Sequence, residues 1–138
     1  MTDRELIQKA VEVRRLSYSP YSGFPVGAAL LTSSGKVYCG TNVENASYGL
    51  TLCAERVAVG MAVSDGEKSF ETIALSVKGG GSPCGACRQV LFEFAPSLRV
   101  LMADEKGSLI EEVNLQDLLP RAFGPNSLGE RGSSDLGA

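Results

Sequence analysis

The chain has 138 residues, 43% of them hydrophobic, with a mean hydropathy of +0.04 and a formal net charge of −3. That is enough chain for one domain with its own core, but no apolar run approaches the ~20 residues of a membrane span. Nor is there a Lys/Arg cluster of the kind that grips polynucleotide phosphates, and the lack of any histidine removes Ser-His-Asp and Cys-His nucleophilic schemes.

Met1 to Glu5 lacks the charged-then-apolar layout of a signal peptide, so a cytoplasmic location is expected. Thr2 with Glu5 forms a capping box for an amphipathic helix to Leu16, whose apolar stripe is Leu6, Ala10 and Val13, flanked by Ile7 and Val11. Ser17 to Gly23 reads as a loop. Phe24 to Leu31 and Val37 to Val43 read as a hairpin about the turn Ser33-Ser34-Gly35-Lys36. After an irregular stretch, a helix is predicted from about Leu52 to Ser64, then a strand from Glu71 to Val77. Gly79-Gly80-Gly81 approaches a second such helix, with Ser82 as its N-cap and Pro83 at its first position, running to Ala95. Strands are expected at Leu98 to Ala103 and Ser108 to Val113, and Asn114 caps a last short helix, Leu115 to Leu119. The order implies an α/β fold: three α/β/α layers about a mixed five-stranded sheet, with right-handed parallel crossovers. Residues 1–123 form the domain. Residues 124–138, rich in Gly and Ser, are expected to be a mobile tail.

The chemistry is concentrated in two segments. Pro83-Cys84-Gly85-Ala86-Cys87 places two thiols on the first turn of a helix, where the positive end of the dipole favours thiolate. Alone, such a pair could equally be a redox motif. Cys53 supplies a third sulfur, and three protein ligands with a corner left for water is the layout of a catalytic zinc, a structural zinc being closed by four. Glu55 lies two residues after Cys53. Inside a regular helix residues two apart diverge by ~200°, so both can face one metal only if Cys53 occupies the non-helical cap. That arrangement also leaves the backbone at Ala54 free to meet a substrate. Three thiolates and Zn²⁺ sum to about −1, a charge that Arg56, or less favourably Arg88, would offset by hydrogen bonding to sulfur. Cys39 is read as a small buried hydrophobe. Its rival role, a fourth ligand closing a non-catalytic Cys₄ module, stays open here.

The segments Ser19-Pro20-Tyr21-Ser22-Gly23-Phe24-Pro25-Val26-Gly27, Asn42-Val43-Glu44-Asn45-Ala46-Ser47-Tyr48, Cys53-Ala54-Glu55-Arg56 and Pro83-Cys84-Gly85-Ala86-Cys87-Arg88-Gln89-Val90 together resemble the small homotetrameric zinc-dependent cytidine deaminases, over nearly all of the chain to Phe123. The resemblance implies that Cys53, Cys84 and Cys87 bind Zn²⁺, that water activated there attacks C4 of cytosine, and that Glu55 shuttles the protons to ring N3 and to departing ammonia. It implies that Asn42 and Glu44 hold the ribose hydroxyls, that Phe24 lines the base pocket, and that Ala46, Tyr48 and Phe123 reach a neighbouring subunit's site. A small nucleoside, cytidine or deoxycytidine, is the implied substrate, in pyrimidine salvage. Another aminated pyrimidine nucleoside, such as blasticidin S, is the competing substrate. The short Lys78-Gly79-Gly80-Gly81 stretch departs from the family's longer, proline-bearing loop.

Overall fold

A computed structural model describes residues 1–129. Helix α1 (Asp3–Arg14) begins at the expected box: the Thr2 hydroxyl accepts from Glu5 N–H while the Glu5 carboxylate takes Thr2 N–H. Strands β1 (Val26–Thr32) and β2 (Val37–Thr41) form the hairpin. Helix α2 (Ala54–Ser64), strand β3 (Phe70–Val77), helix α3 (Gly85–Phe94), strands β4 (Arg99–Ala103) and β5 (Leu109–Asn114), and the single turn α4 (Leu115–Leu118) follow. The sheet order is β2-β1-β3-β4-β5, antiparallel throughout except for the parallel pair β3–β4. The sheet is therefore mixed, with α3 as the crossover between its parallel strands.

The period-2 alternation of strands divides the core in two. Ala28, Leu30, Ile73, Leu75, Val100 and Met102 point to the layer of α2 and α3. Ala29, Ala74, Leu101 and Ala103 point to α1, whose Leu6, Ile7, Ala10 and Val11 cover them. The helices approach closely because two strand positions carry no side chain. A Cβ on Gly27 would stand 2.1 Å from the Ala10 carbonyl oxygen of α1, and one on Gly40 would stand 2.7 Å from the Ala54 carbonyl oxygen of α2.

One helix start differs from expectation. Cys84, not Ser82, is the N-cap of α3, its sulfur accepting from Cys87 N–H at 3.5 Å. Sulfur can fill the role because it sits where an Asp or Ser oxygen would otherwise satisfy the exposed amides of the first turn. Pro83 thus falls before the helix, and the Ser82 hydroxyl accepts from Arg88 instead, at 2.7 Å. Past the predicted domain end, Gly124 is buried against Phe92 and Pro125–Leu128 form a 3₁₀ turn. Residues 130–138, the rest of the expected tail, lie outside the described residues.

Candidate active site

Two helix N-termini meet on one side of the sheet. Cys53 is the N-cap of α2 with extended backbone (φ −75°, ψ 152°), and Cys84 caps α3. The off-helix placement of Cys53, needed for it to share a focus with Glu55, is therefore present. Cys53 Sγ and Cys84 Sγ are 3.8 Å apart, and the sulfurs of Cys53, Cys84 and Cys87 all lie within 4.8 Å of one another. A tetrahedral zinc with Zn–S lengths of ~2.3 Å would hold its sulfurs about 3.8 Å apart, so the donor set fits that ion in both chemistry and spacing.

The surroundings prepare sulfur for a cation. The Cys53 thiol titrates well below the usual range, because the Cys87 thiol donates to it and the Arg56 guanidinium adds its charge. Arg56 Nη2 donates to Cys53 Sγ at 3.4 Å. Arg56 Nε is buried with no hydrogen-bond partner among the described residues, which leaves the guanidinium dependent on the negative charge of the sulfurs. Cys87, donating to Cys53 and buried, is pushed up. Arg88 does not touch sulfur. It donates to the Pro83 carbonyl at 2.7 Å, the Leu118 carbonyl at 2.8 Å and the Ser82 hydroxyl, so its task is to hold the ligand loop in shape. Glu55 is 5% exposed and its carboxyl meets the Cys87 thiol. Burial first, and the neighbouring Cys53 charge after it, push the Glu55 carboxyl above the ordinary carboxylate range, as suits a group that carries a proton near neutrality.

Cys39 belongs elsewhere. It lies on β2 with its side chain packed against the α1 layer, on the sheet face opposite the three-sulfur cluster. Alternation along the strand puts Tyr38 and Gly40, not Cys39, on the side of α2. The Cys₄ reading is thereby removed, and the half-buried thiol, raised by burial, packs against the edge of the α1 core.

A cavity of about 550 Å³ opens over the cluster, within the range of small-molecule sites. Cys53, Ala54, Glu55 and Cys84 line it together with Phe24, Asn42 and Glu44. Sequence reasoning singled out the glycine stretch, whose Gly80 and Gly81 line the cavity, but gave no site role to its other walls: Ser22, Val26, Thr51, Leu52, Leu75, Val77 and Ser82. Ala46, Tyr48 and Phe123 do not line it, and all three are exposed. Tyr48 instead walls a shallower adjoining hollow with Tyr21, edge-on at 5.9 Å between ring centres.

Asn42 and Glu44 are both buried and already engaged. Asn42 Oδ1 accepts from Val26 N–H at 3.0 Å and from the Ser17 hydroxyl at 2.5 Å, while Nδ2 donates to the Phe24 carbonyl at 2.8 Å. Its oxygen is saturated, so what it has left is one N–H. Glu44 Oε1 accepts from Tyr21 N–H and Ser22 N–H at 2.9 and 3.0 Å, and Oε2 accepts from the Ser22 hydroxyl. One acceptor position remains on Oε2. The signal for these partners was a run of hydroxyl and amide groups in the 17–24 loop, which has no periodicity to place them.

The family model described as the cytidine and deoxycytidylate deaminase zinc-binding region matches residues 1–103, a span holding the three clustered cysteines, Cys53, Cys84 and Cys87, and Glu55. The chain belongs to this deaminase family. Among its relatives, the cytidine deaminase of Sporosarcina psychrophila is 47% identical over 131 residues, 93% of this chain and 96% of that protein. The crystal structure of cytidine deaminase from Burkholderia pseudomallei, 47% identical, superposes with a TM-score of 0.85 over 89% of this chain and all of that one. That of Mycobacterium tuberculosis, 40% identical, gives 0.78 over 90% and 99%. These deaminases thus share with the chain not only the zinc-binding region but the five-stranded frame that presents it.

Proposed function

We propose that the protein is a zinc-dependent cytidine deaminase, hydrolysing cytidine and deoxycytidine to uridine and deoxyuridine with release of ammonia. The observation that carries the proposal is a buried carboxyl, Glu55, set against three converging sulfurs at the floor of a nucleoside-sized cavity.

Cys53, Cys84 and Cys87 would hold the zinc, which when bound supplies the Lewis acidity that makes water a nucleophile near neutral pH. Glu55 does the proton work. It takes a proton from the attacking water and passes it to ring N3, then takes the second proton from the hydroxyl now on C4 and delivers it to the amino group as that group leaves. Its raised affinity for protons lets it hold one between these steps. Arg56 keeps Cys53 in the thiolate form. At the other end, the spare Asn42 N–H donates to a ribose oxygen and the open Glu44 Oε2 accepts from a ribose hydroxyl. Phe24, 46% exposed at the cavity wall, offers its ring to the base.

Ala46, Tyr48 and Phe123 have no place in the chain's own cavity, and Tyr48 and Phe123 are large rings left 75% and 61% exposed. A homotetramer in which these residues complete a neighbour's cavity would cover these rings. Reduced zinc-ligating thiols suit the cytoplasm, where the reaction would serve pyrimidine salvage. No described helix is long and apolar enough to cross a membrane.

The test is ammonia release by the purified zinc-loaded protein from cytidine, deoxycytidine, adenosine and blasticidin S. Turnover of the first two is expected; activity on adenosine or blasticidin S alone would overturn the assignment. Sedimentation at assay concentrations checks the tetramer.

A further inference from the structure

One hydroxyl ties the ribose end of the cavity to the base wall. Ser22 lines the cavity beside Phe24 and Glu44. Its hydroxyl donates to Glu44 Oε2, and the oxygen of that same hydroxyl accepts from Phe24 N–H at 3.0 Å. A serine hydroxyl has a single proton to give, so the proton goes to the carboxylate and a lone pair to the amide. Gly23 stands between the two residues with φ +65°, a left-handed backbone that glycine adopts freely and that turns the Phe24 amide back onto Ser22 Oγ. On its other side Phe24 is held by its carbonyl, which accepts from Asn42 Nδ2.

We propose, resting on the cytidine deaminase reading above, that Ser22 is a positioning residue for both ends of the nucleoside: through Glu44 it fixes where a ribose hydroxyl is accepted, and through Phe24 it fixes the ring set against the base. The Tyr21 and Ser22 amides fill both acceptor positions of Glu44 Oε1. With the Ser22 hydroxyl on Oε2, one direction alone is left for the substrate. Without that hydroxyl Oε2 has two open positions, for which water competes, and the Phe24 amide loses its acceptor. The carboxylate keeps its charge and its hold on the two amides. Loss of the hydroxyl therefore changes the aim of Glu44, not its presence.

The experiment compares cytidine with dideoxycytidine, whose sugar carries neither ring hydroxyl, for the parent and Ser22→Ala, with rates normalised to bound zinc. The parent should favour cytidine in kcat/KM. In Ser22→Ala that preference should fall by about tenfold, the scale of one hydrogen bond, because dideoxycytidine never used the aimed acceptor. Ser22→Thr, which keeps the hydroxyl, should return the preference to the parent's. Equal losses on both substrates would make Ser22 a loop fastener only and overturn the proposal, as would the same preference in Ser22→Ala and Ser22→Thr. If Ser22→Ala does not fold, Ser22→Gly is read the same way. A parent enzyme that turns over neither nucleoside sinks the deaminase reading itself; one that turns over both equally refutes the role of Ser22 alone.

Discussion

Gly40 lies under the catalytic helix, and replacing it with Ala should damage activity more than its effect on stability explains. A Cβ there would meet the Ala54 carbonyl oxygen at 2.7 Å, Ala58 N at 2.8 Å and Val57 Cβ at 3.0 Å. Backbone atoms cannot step aside singly, so α2 must lift by about 0.7 Å to restore ordinary contact. The helix carries Cys53 at its cap and Glu55 in its first turn. A displacement on this scale is expected to lower kcat/KM by roughly 10- to 100-fold and to weaken zinc retention, beside an overpacking cost of about 1–3 kcal/mol. Gly27→Ala is the control. Its Cβ would collide with α1 at 2.1 Å from the Ala10 carbonyl oxygen, so Tm should fall at least as far. Because α1 covers the opposite face, activity per zinc-loaded molecule should stay near that of the parent. The assay is steady-state deamination normalised to bound zinc, at a temperature well below both melting transitions. Equal kcat/KM for the two variants, or a Gly40→Ala enzyme with full activity and zinc, would show that α2 does not transmit its position to the site.

Further outcomes follow from the site. Glu55→Gln should lower kcat by about 10²–10⁴-fold while metal analysis still finds zinc; loss of the metal instead would make Glu55 a ligand. Arg56→Ala should cost about 10–100-fold in zinc affinity or activity, measured by competition with a chelator, and an unchanged affinity and rate would leave the guanidinium without its assigned task. Glu44 is held below the ordinary carboxylate range, first by the Ser22 hydroxyl and then by the Ser22 and Tyr21 amides. Its contribution is present above the unfolded carboxylate pKa of ~4.3 and is lost as pH falls through the lower folded value. The Tm gap between the parent and Glu44→Gln should therefore be widest near neutrality and narrow in acid; a gap that widens in acid would reverse the argument.

Much of this architecture could be read from the chain because it follows from local rules. The Thr2/Glu5 box, the alternation of Ile73, Leu75 and Val77, and the Asn114 cap each announce an element within a few residues, and each is present. The off-helix position of Cys53 followed from helical geometry alone. What escaped depends on contacts distant in sequence. Ser82 and Pro83 imitate a helix start, but Cys84 takes the cap because its sulfur must also face Cys53, 31 residues away. Ser17 and Ser22 looked like loop filler; they are the groups that fix Asn42 and Glu44, 25 and 22 residues on. Arg88 had a plausible partner in sulfur, and only the path of the chain to Leu118 shows where its charge goes.

Helix α3 is fastened at both ends of its first two turns. Cys84 and Cys87 lie at its start, while Arg88 grips the Leu118 carbonyl and Gln89 Nε2 grips the Phe123 carbonyl at 2.7 Å. The stretch from Leu118 to Phe123 thus hangs from the same rod that presents two of the three sulfurs. Trimming the protein back past Phe123, or prying that stretch away, would pull on the metal's own mounting.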